Sequence, residues 1–239
     1  MSTNMEAITF KIDGVEVQGM PGQTILEAAD EAGVYIPRLC QMKGITPHGS
    51  CRVCTVKIGK NWFAAACTQP ISDGMEIDNS SDEVMQLRKD LVEMLFTEGN
   101  HYCMFCDKSG NCELQAMAYR LGILAPKYPY IYPDRALDAS HPDVFIDKNR
   151  CILCARCVNS AKELDGKTVF DFAGRGPHKE VIVNGEKLSD TQLKGVDKAA
   201  EACPVGAILP KKGAYAKPVG QRDYDKAPIG SDIEAKVCK

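Results

Sequence analysis

The chain has 239 residues, 44% of them hydrophobic and 26% charged, with a formal net charge of −3. This composition suits a soluble globular protein of one large domain or two to three small ones, and gives no electrostatic basis for binding nucleic acid or a membrane surface. No run of about 18 apolar residues is present to span a bilayer, and the start MSTNMEAITF lacks the basic and apolar regions of a signal peptide, so a cytoplasmic protein is expected.

Residues 8–19 alternate in polarity around Asp13-Gly14, which predicts a β-hairpin. Thr24 is a fitting N-cap for a short helix with Ile25, Leu26, Ala28, Ala29 and Ala32 on its apolar face. Gly33 ends it and Pro37 blocks continuation. A loop with Gly44, Gly49 and Ser50 follows, then strands at 53–58 and 61–67 joined by Gly59-Lys60. Hairpin, helix, cysteine-bearing loop and strands are the order of a β-grasp ferredoxin domain, placed at 1–78.

Ser80 and Glu83 have capping-box spacing ahead of a helix whose apolar face is Val84, Leu87, Leu91, Met94 and Leu95. Gly99-Asn100 ends it, and ELQAMAYRLG gives a second short helix. These bound a small helical module at 79–122. Residues 125–146 hold four prolines, three in PKYPYIYP, and read as an extended connector. The third module, 123–210 with its connector, carries CILCARC, strand-like VFDF and EVIVNG, and CPVGAIL. The last 30 residues are polar, with seven Lys/Arg against four Asp/Glu. The segment 211–239 is expected to fray or to lie across a partner. The fold class is therefore α+β, with the two cysteine-bearing modules following the β-grasp domain.

Twelve cysteines in a reducing compartment, many at two-residue gaps, point to metal ligation in place of disulfides. Cys40, Cys51, Cys54 and Cys67 are spaced C-x10-C-x2-C-x12-C. Thiolates suit iron–sulfur clusters and zinc alike, but the β-grasp setting and a glycine-containing loop favour a [2Fe–2S] cluster. His101, Cys103, Cys106 and Cys112 form the second group. Three cysteines leave a [4Fe–4S] cubane one ligand short, and an imidazole can fill the place; a Cys3His zinc site is the rival. Cys151, Cys154, Cys157 and the remote Cys203-Pro204 form the third group, in which Cys203 closes a second [4Fe–4S] cubane. Cys238 remains as a free thiol. No nucleotide-binding glycine motif and no catalytic constellation is present.

The succession of these groups resembles the N-terminal region of the large iron–sulfur subunit of respiratory complex I, with similar blocks in iron-only hydrogenases and NAD-linked formate dehydrogenases. GSCRVC at 49–54, AAACT at 64–68, EGNH and SGNCELQ between 98 and 115, RCILCARCV at 150–158 and ACPVGAIL at 202–209 carry the likeness, across residues 6–210. The complex I pattern is H-x3-C-x2-C-x5-C; here Gly99 stands at the histidine position and only one residue separates His101 from Cys103. A chain bearing the block alone resembles the diaphorase small subunits of NAD-reducing soluble nickel–iron hydrogenases. That resemblance implies an electron relay in a heterotetramer. Its partners would be an FMN- and NAD-binding diaphorase large subunit and the small and large [NiFe] hydrogenase subunits, with FMN, NAD and Ni–Fe held by those partners. Equivalent relay subunits of formate dehydrogenases, bifurcating hydrogenases or complex I-like enzymes are the alternatives, and a zinc-stabilised scaffold without redox activity is a third reading.

Overall fold

A computed structural model describes residues 6–236; Cys238 lies outside them. The hairpin forms as expected, with β1 (Ile8–Ile12) antiparallel to β2 (Val15–Gly19). Asp13 and Gly14 both take positive φ, +50° and +80°, the twist that a two-residue hairpin turn demands. Helix α1 (Ile25–Glu31) starts in a full capping box: Glu27 N donates to Thr24 Oγ1, and the Glu27 carboxylate accepts from Thr24 N.

Strands β3 (Thr55–Ile58) and β4 (Trp62–Ala65) are shorter than the sequence pattern suggests, because Val53, Cys54, Ala66 and Cys67 turn out of the ladder. A further strand, β5 (Glu76–Asp78), pairs parallel with β1 and antiparallel with β3. The sheet order is β2-β1-β5-β3-β4, a β-grasp. Phe10, Ile12, Ile25, Leu26, Ile36, Val56 and Ile77 fill its core.

Helix α2 (Asp82–Thr97) is capped by Ser81, not Ser80. Asp78 Oδ1 accepts from Ser80 N and Ser81 N, and this turn moves the cap one residue on, so no capping box closes with Glu83. The buried face also differs. Val84, Arg88, Val92, Glu93 and Thr97 point inward, while Leu87 and Met94 are exposed. Arg88 shifts the phase: its guanidinium, 1% exposed, donates to Thr55 O, Asn79 O and Asn79 Oδ1, and so ties α2 to the β-grasp sheet.

Helix α3 (Glu113–Arg120) follows. The connector runs back along α2, with Ile131 N donating to Thr97 O and Lys127 paired with Asp90. Its end is not merely extended: β6 (Leu137–Asp138) and β7 (Val144–Asp147) join β10 (Ile208–Pro210) in a three-stranded sheet. Helix α4 (Arg156–Glu163), the expected strand pair β8 (Phe170–Ala173) and β9 (Glu180–Val183), and α5 (Lys198–Glu201) complete this part.

Of the segment 211–239, expected to fray or to lie across a partner, the described residues 211–236 pack on their own chain. Tyr224 N donates to Gly110 O, Asp223 N to Asn111 Oδ1 and Arg222 to Ser109 O. The one-turn helix α6 (Ser231–Glu234) then reaches Arg120, and Lys236 donates to Asp30 O. Ile229 and Ile233 supply the apolar contact that a sequence this polar hides. A second core, running from Tyr35 and Leu39 through Val92, Leu114 and Met117 to Ile146, Val181 and Ile208, joins the parts of the chain in one body.

Candidate metal centres

The first group assembles because Cys54 and Cys67 flank the β3–β4 hairpin. Thr55 opposes Ala65, and Ala66 N donates to Cys54 O, so the thiols one and two residues beyond the ladder meet. The loop from α1 brings Cys40 and Cys51 onto the same spot, and Cys40 N donates to Cys51 Sγ at 3.4 Å. All four side chains are buried. Hydrogen bonds among them hold the Cys40 and Cys54 thiols below the usual value and push Cys51 and Cys67 above it. Arg52, with φ +57°, turns the loop between Cys51 and Cys54.

The second group lines a small cavity with Phe96, Arg150 and Gly206. Cys112 caps α3, its Sγ accepting from Gln115 N at 3.5 Å. Burial raises the Cys103 and Cys112 thiols, Cys112 to about 12. His101 folds back over Gly99: a Cβ at position 99 would stand 2.5 Å from His101 Nε2. The glycine thus opens the space that the shorter tether needs. His101 Nε2 is buried in this cavity without a hydrogen-bond partner. Burial, reinforced by Arg150, lowers its pKa to about 4, so the ring is neutral at pH 7, as a metal-ligating imidazole must be.

The third group lines a small cavity with Ile146 and Val205. Leu153 and Ala155 take φ of +53° and +65° between the cysteines. These unusual conformations aim backbone N–H groups inward, and Leu153 N donates to Cys151 Sγ at 3.4 Å. Burial raises Cys151 to about 11 and pushes Cys154 and Cys157 higher. Thiols that desolvation keeps protonated become thiolates only against a strong positive charge, which the irons of a cluster provide. The donor sets, cavities and unpartnered Nε2 therefore fit iron–sulfur clusters.

Two arginines escaped the sequence reading. Arg156, between Cys154 and Cys157, makes a two-pronged ion pair with Glu113, beside Cys112, at 2.5 and 2.6 Å. The same guanidinium donates to Gln41 O, beside Cys40. One buried side chain, itself beside Cys157, thus touches the neighbours of a cysteine in each of the other two groups. Arg150, beside Cys151, donates to Cys106 Sγ at 3.5 Å and pairs with Asp147 at 3.1 Å. Gly206 completes the contact, since a Cβ there would overlap Cys106 Sγ. Position next to a cysteine was the available signal, but the partners other than Asp147 lie 43 to 115 residues away.

A β-grasp ferredoxin domain followed by two further cysteine-lined cavities defines an iron–sulfur electron carrier. Residues 5–82 match the 2Fe-2S iron-sulfur cluster binding domain, 88–126 the NADH-ubiquinone oxidoreductase-G iron-sulfur binding region, and 141–209 the ferredoxin-like domain of NADH-quinone oxidoreductase subunit 3. The chain is 39% identical, over 92% of its length and 94% of the relative's, to the NAD-reducing hydrogenase HoxS subunit gamma of Cupriavidus necator, and it belongs to that family. It is also 31% identical to the alpha subunit of the NADPH-Fe(3+) oxidoreductase of Geobacter sulfurreducens, over 85% of this chain. The likeness to the 78 kDa NADH-ubiquinone oxidoreductase subunit of Candida albicans is 31% over 90%. The chain spans only 24% and 30% of those two. A crystal structure of an NAD+-reducing [NiFe]-hydrogenase in the H2-reduced state superposes with TM-score 0.89 at 43% identity, over 92% of this chain and 94% of that one. The cofactors of the chain are accordingly one 2Fe–2S cluster and 4Fe–4S clusters. No described helix is long and apolar enough to cross a membrane.

Proposed function

We propose that this chain is the electron-relay subunit of a cytoplasmic NAD-reducing hydrogenase. It passes electrons between a [NiFe] hydrogenase module of small and large subunits and a diaphorase subunit that binds FMN and NAD. The observation that carries the reading is the interlocking of three cysteine groups in one body, with Arg156, beside Cys157, bonded to the neighbours of Cys112 and Cys40.

Cys40, Cys51, Cys54 and Cys67 hold the [2Fe–2S] cluster. His101, Cys103, Cys106 and Cys112 hold one [4Fe–4S] cluster; Cys151, Cys154, Cys157 and Cys203 hold the other. The division into 1–78, 79–122, 123–210 and 211–239 follows these sites. Bound clusters supply one-electron oxidation and reduction without proton transfer. The chain itself fixes their separation, keeps water from the sulfurs, and adjusts each site through ligand type and N–H···S hydrogen bonds. It breaks no substrate bond and has no catalytic side chain of its own.

The complex purified without oxygen is expected to hold about ten irons on this chain, two in the first site and four in each of the others. Its reduced form is expected to give the EPR signals of both cluster types. Colourless protein containing zinc refutes the reading. His101→Ala and His101→Cys test the histidine: unchanged cubane signals in both variants remove it from the ligand set.

A further inference from the structure

Arg150 occupies an unusual place between two of the sites. Its backbone precedes Cys151 of the third group, yet its NH1 donates to Cys106 Sγ of the second at 3.5 Å. The side chain lines the second cavity. Gly206, three residues after Cys203, lets the Cys106 sulfur approach, and a Cβ there would stand 3.5 Å from the guanidinium nitrogen. The guanidinium is permanently charged, and its hydrogen bond to a thiolate is of the charge-assisted kind. Only one carboxylate pairs with it among the described residues: Asp147, through Nε at 3.1 Å, leaving the NH1 side facing the sulfur.

We propose that Arg150 raises the reduction potential of the second-group cluster. The inference rests on the cluster assignment made above. An added electron makes the cluster more negative, and a fixed cation on one ligand sulfur favours that reduced form. The third group has no equivalent side-chain donor on its sulfurs among the described residues; Leu153 N supplies a neutral one. Asp147 opposes Arg150 by neutralising part of its charge. The pair therefore predicts shifts of opposite sign for substitutions at two adjacent groups, which a packing role alone does not.

The experiment is an anaerobic redox titration of the intact complex, followed by EPR, with iron counted in each variant. Arg150→Gln is expected to lower the ratio of reduced to oxidised second-group cluster about tenfold at a fixed poise, or 59 mV for one electron. The [2Fe–2S] signal is expected to stay in place. Arg150→Lys keeps the charge and loses the fork, so its fall is smaller. Asp147→Asn raises the ratio. If Arg150→Gln sheds the second cluster, the opposite signs of Arg150→Lys and Asp147→Asn decide. Full iron with no shift, an equal shift at all clusters, or shifts of one sign in both variants overturns the proposal. A wild-type chain without iron overturns the cluster assignment beneath it.

Discussion

Replacing Arg156 by Gln is the most demanding test of the interlocked sites. The change deletes both prongs of the Glu113 pair and the bond to Gln41 O, and leaves a part-buried carboxylate without its partner. Breaking a buried ion pair by removing one partner costs about 3–5 kcal/mol. Glu113 keeps 23% of its side-chain surface, so water can reach it and the lower end, about 3 kcal/mol, applies. At about 1.4 kcal/mol per tenfold, that is roughly a hundredfold faster unfolding if the contact is lost before the barrier. The assay is the rate at which visible cluster absorbance bleaches in denaturant without oxygen, a kinetic measure suited to a cofactor-bearing chain. Arg156→Gln combined with Glu113→Gln removes the stranded charge, so the double variant bleaches more slowly than the product of the single effects predicts. A change under about threefold for Arg156→Gln, or a double variant equal to that product, refutes the reasoning.

Gly206→Ala is expected to displace Cys106 and remove about four irons while leaving the [2Fe–2S] signal, because the added methyl overlaps the sulfur; full iron content contradicts this. Arg88→Met leaves Thr55 O and the Asn79 oxygens without their donor, and destabilises by about 2–4 kcal/mol, read as a lower temperature of bleaching. An unchanged bleaching temperature would show that those oxygens find other donors. Gly230→Ala forces a side chain onto a residue at φ +91° and against the Tyr35 ring. It is expected to free α6 and speed proteolytic cleavage within 211–236; resistance equal to wild type contradicts the contact.

Local chemistry was legible in the sequence wherever a few neighbouring residues decide the outcome. Asp13-Gly14 specifies its turn, Thr24 its cap, and C-x2-C-x2-C the shape of its loop. What escaped depends on distant partners. Strand β5 exists because β1 and β3 offer edges on both sides, although Glu76–Asp78 alone is unremarkable in pattern. Helix α2 turns Arg88 inward because Thr55 and Asn79 supply three acceptors there, which outweighs burying Leu87. Ser81 displaces Ser80 as cap because Asp78 claims the amide of each. For the sites, residue type and gap named the cysteines, while nothing in the local pattern singles out the arginines that join the groups. His101 lay between the two cases: its type fitted, its gap did not, and the space above Gly99 reconciles them.

The segment over the 106–111 loop also has a consequence in time. A ribosome delivers the chain from its amino end, so Arg222, Asp223 and Tyr224 emerge more than a hundred residues after Ser109, Gly110 and Asn111, the partners they cover. During synthesis that loop stands open while the β-grasp domain is already complete. The contacts that clasp this loop therefore form only once residues 222–224 have been made, long after the loop itself has left the ribosome.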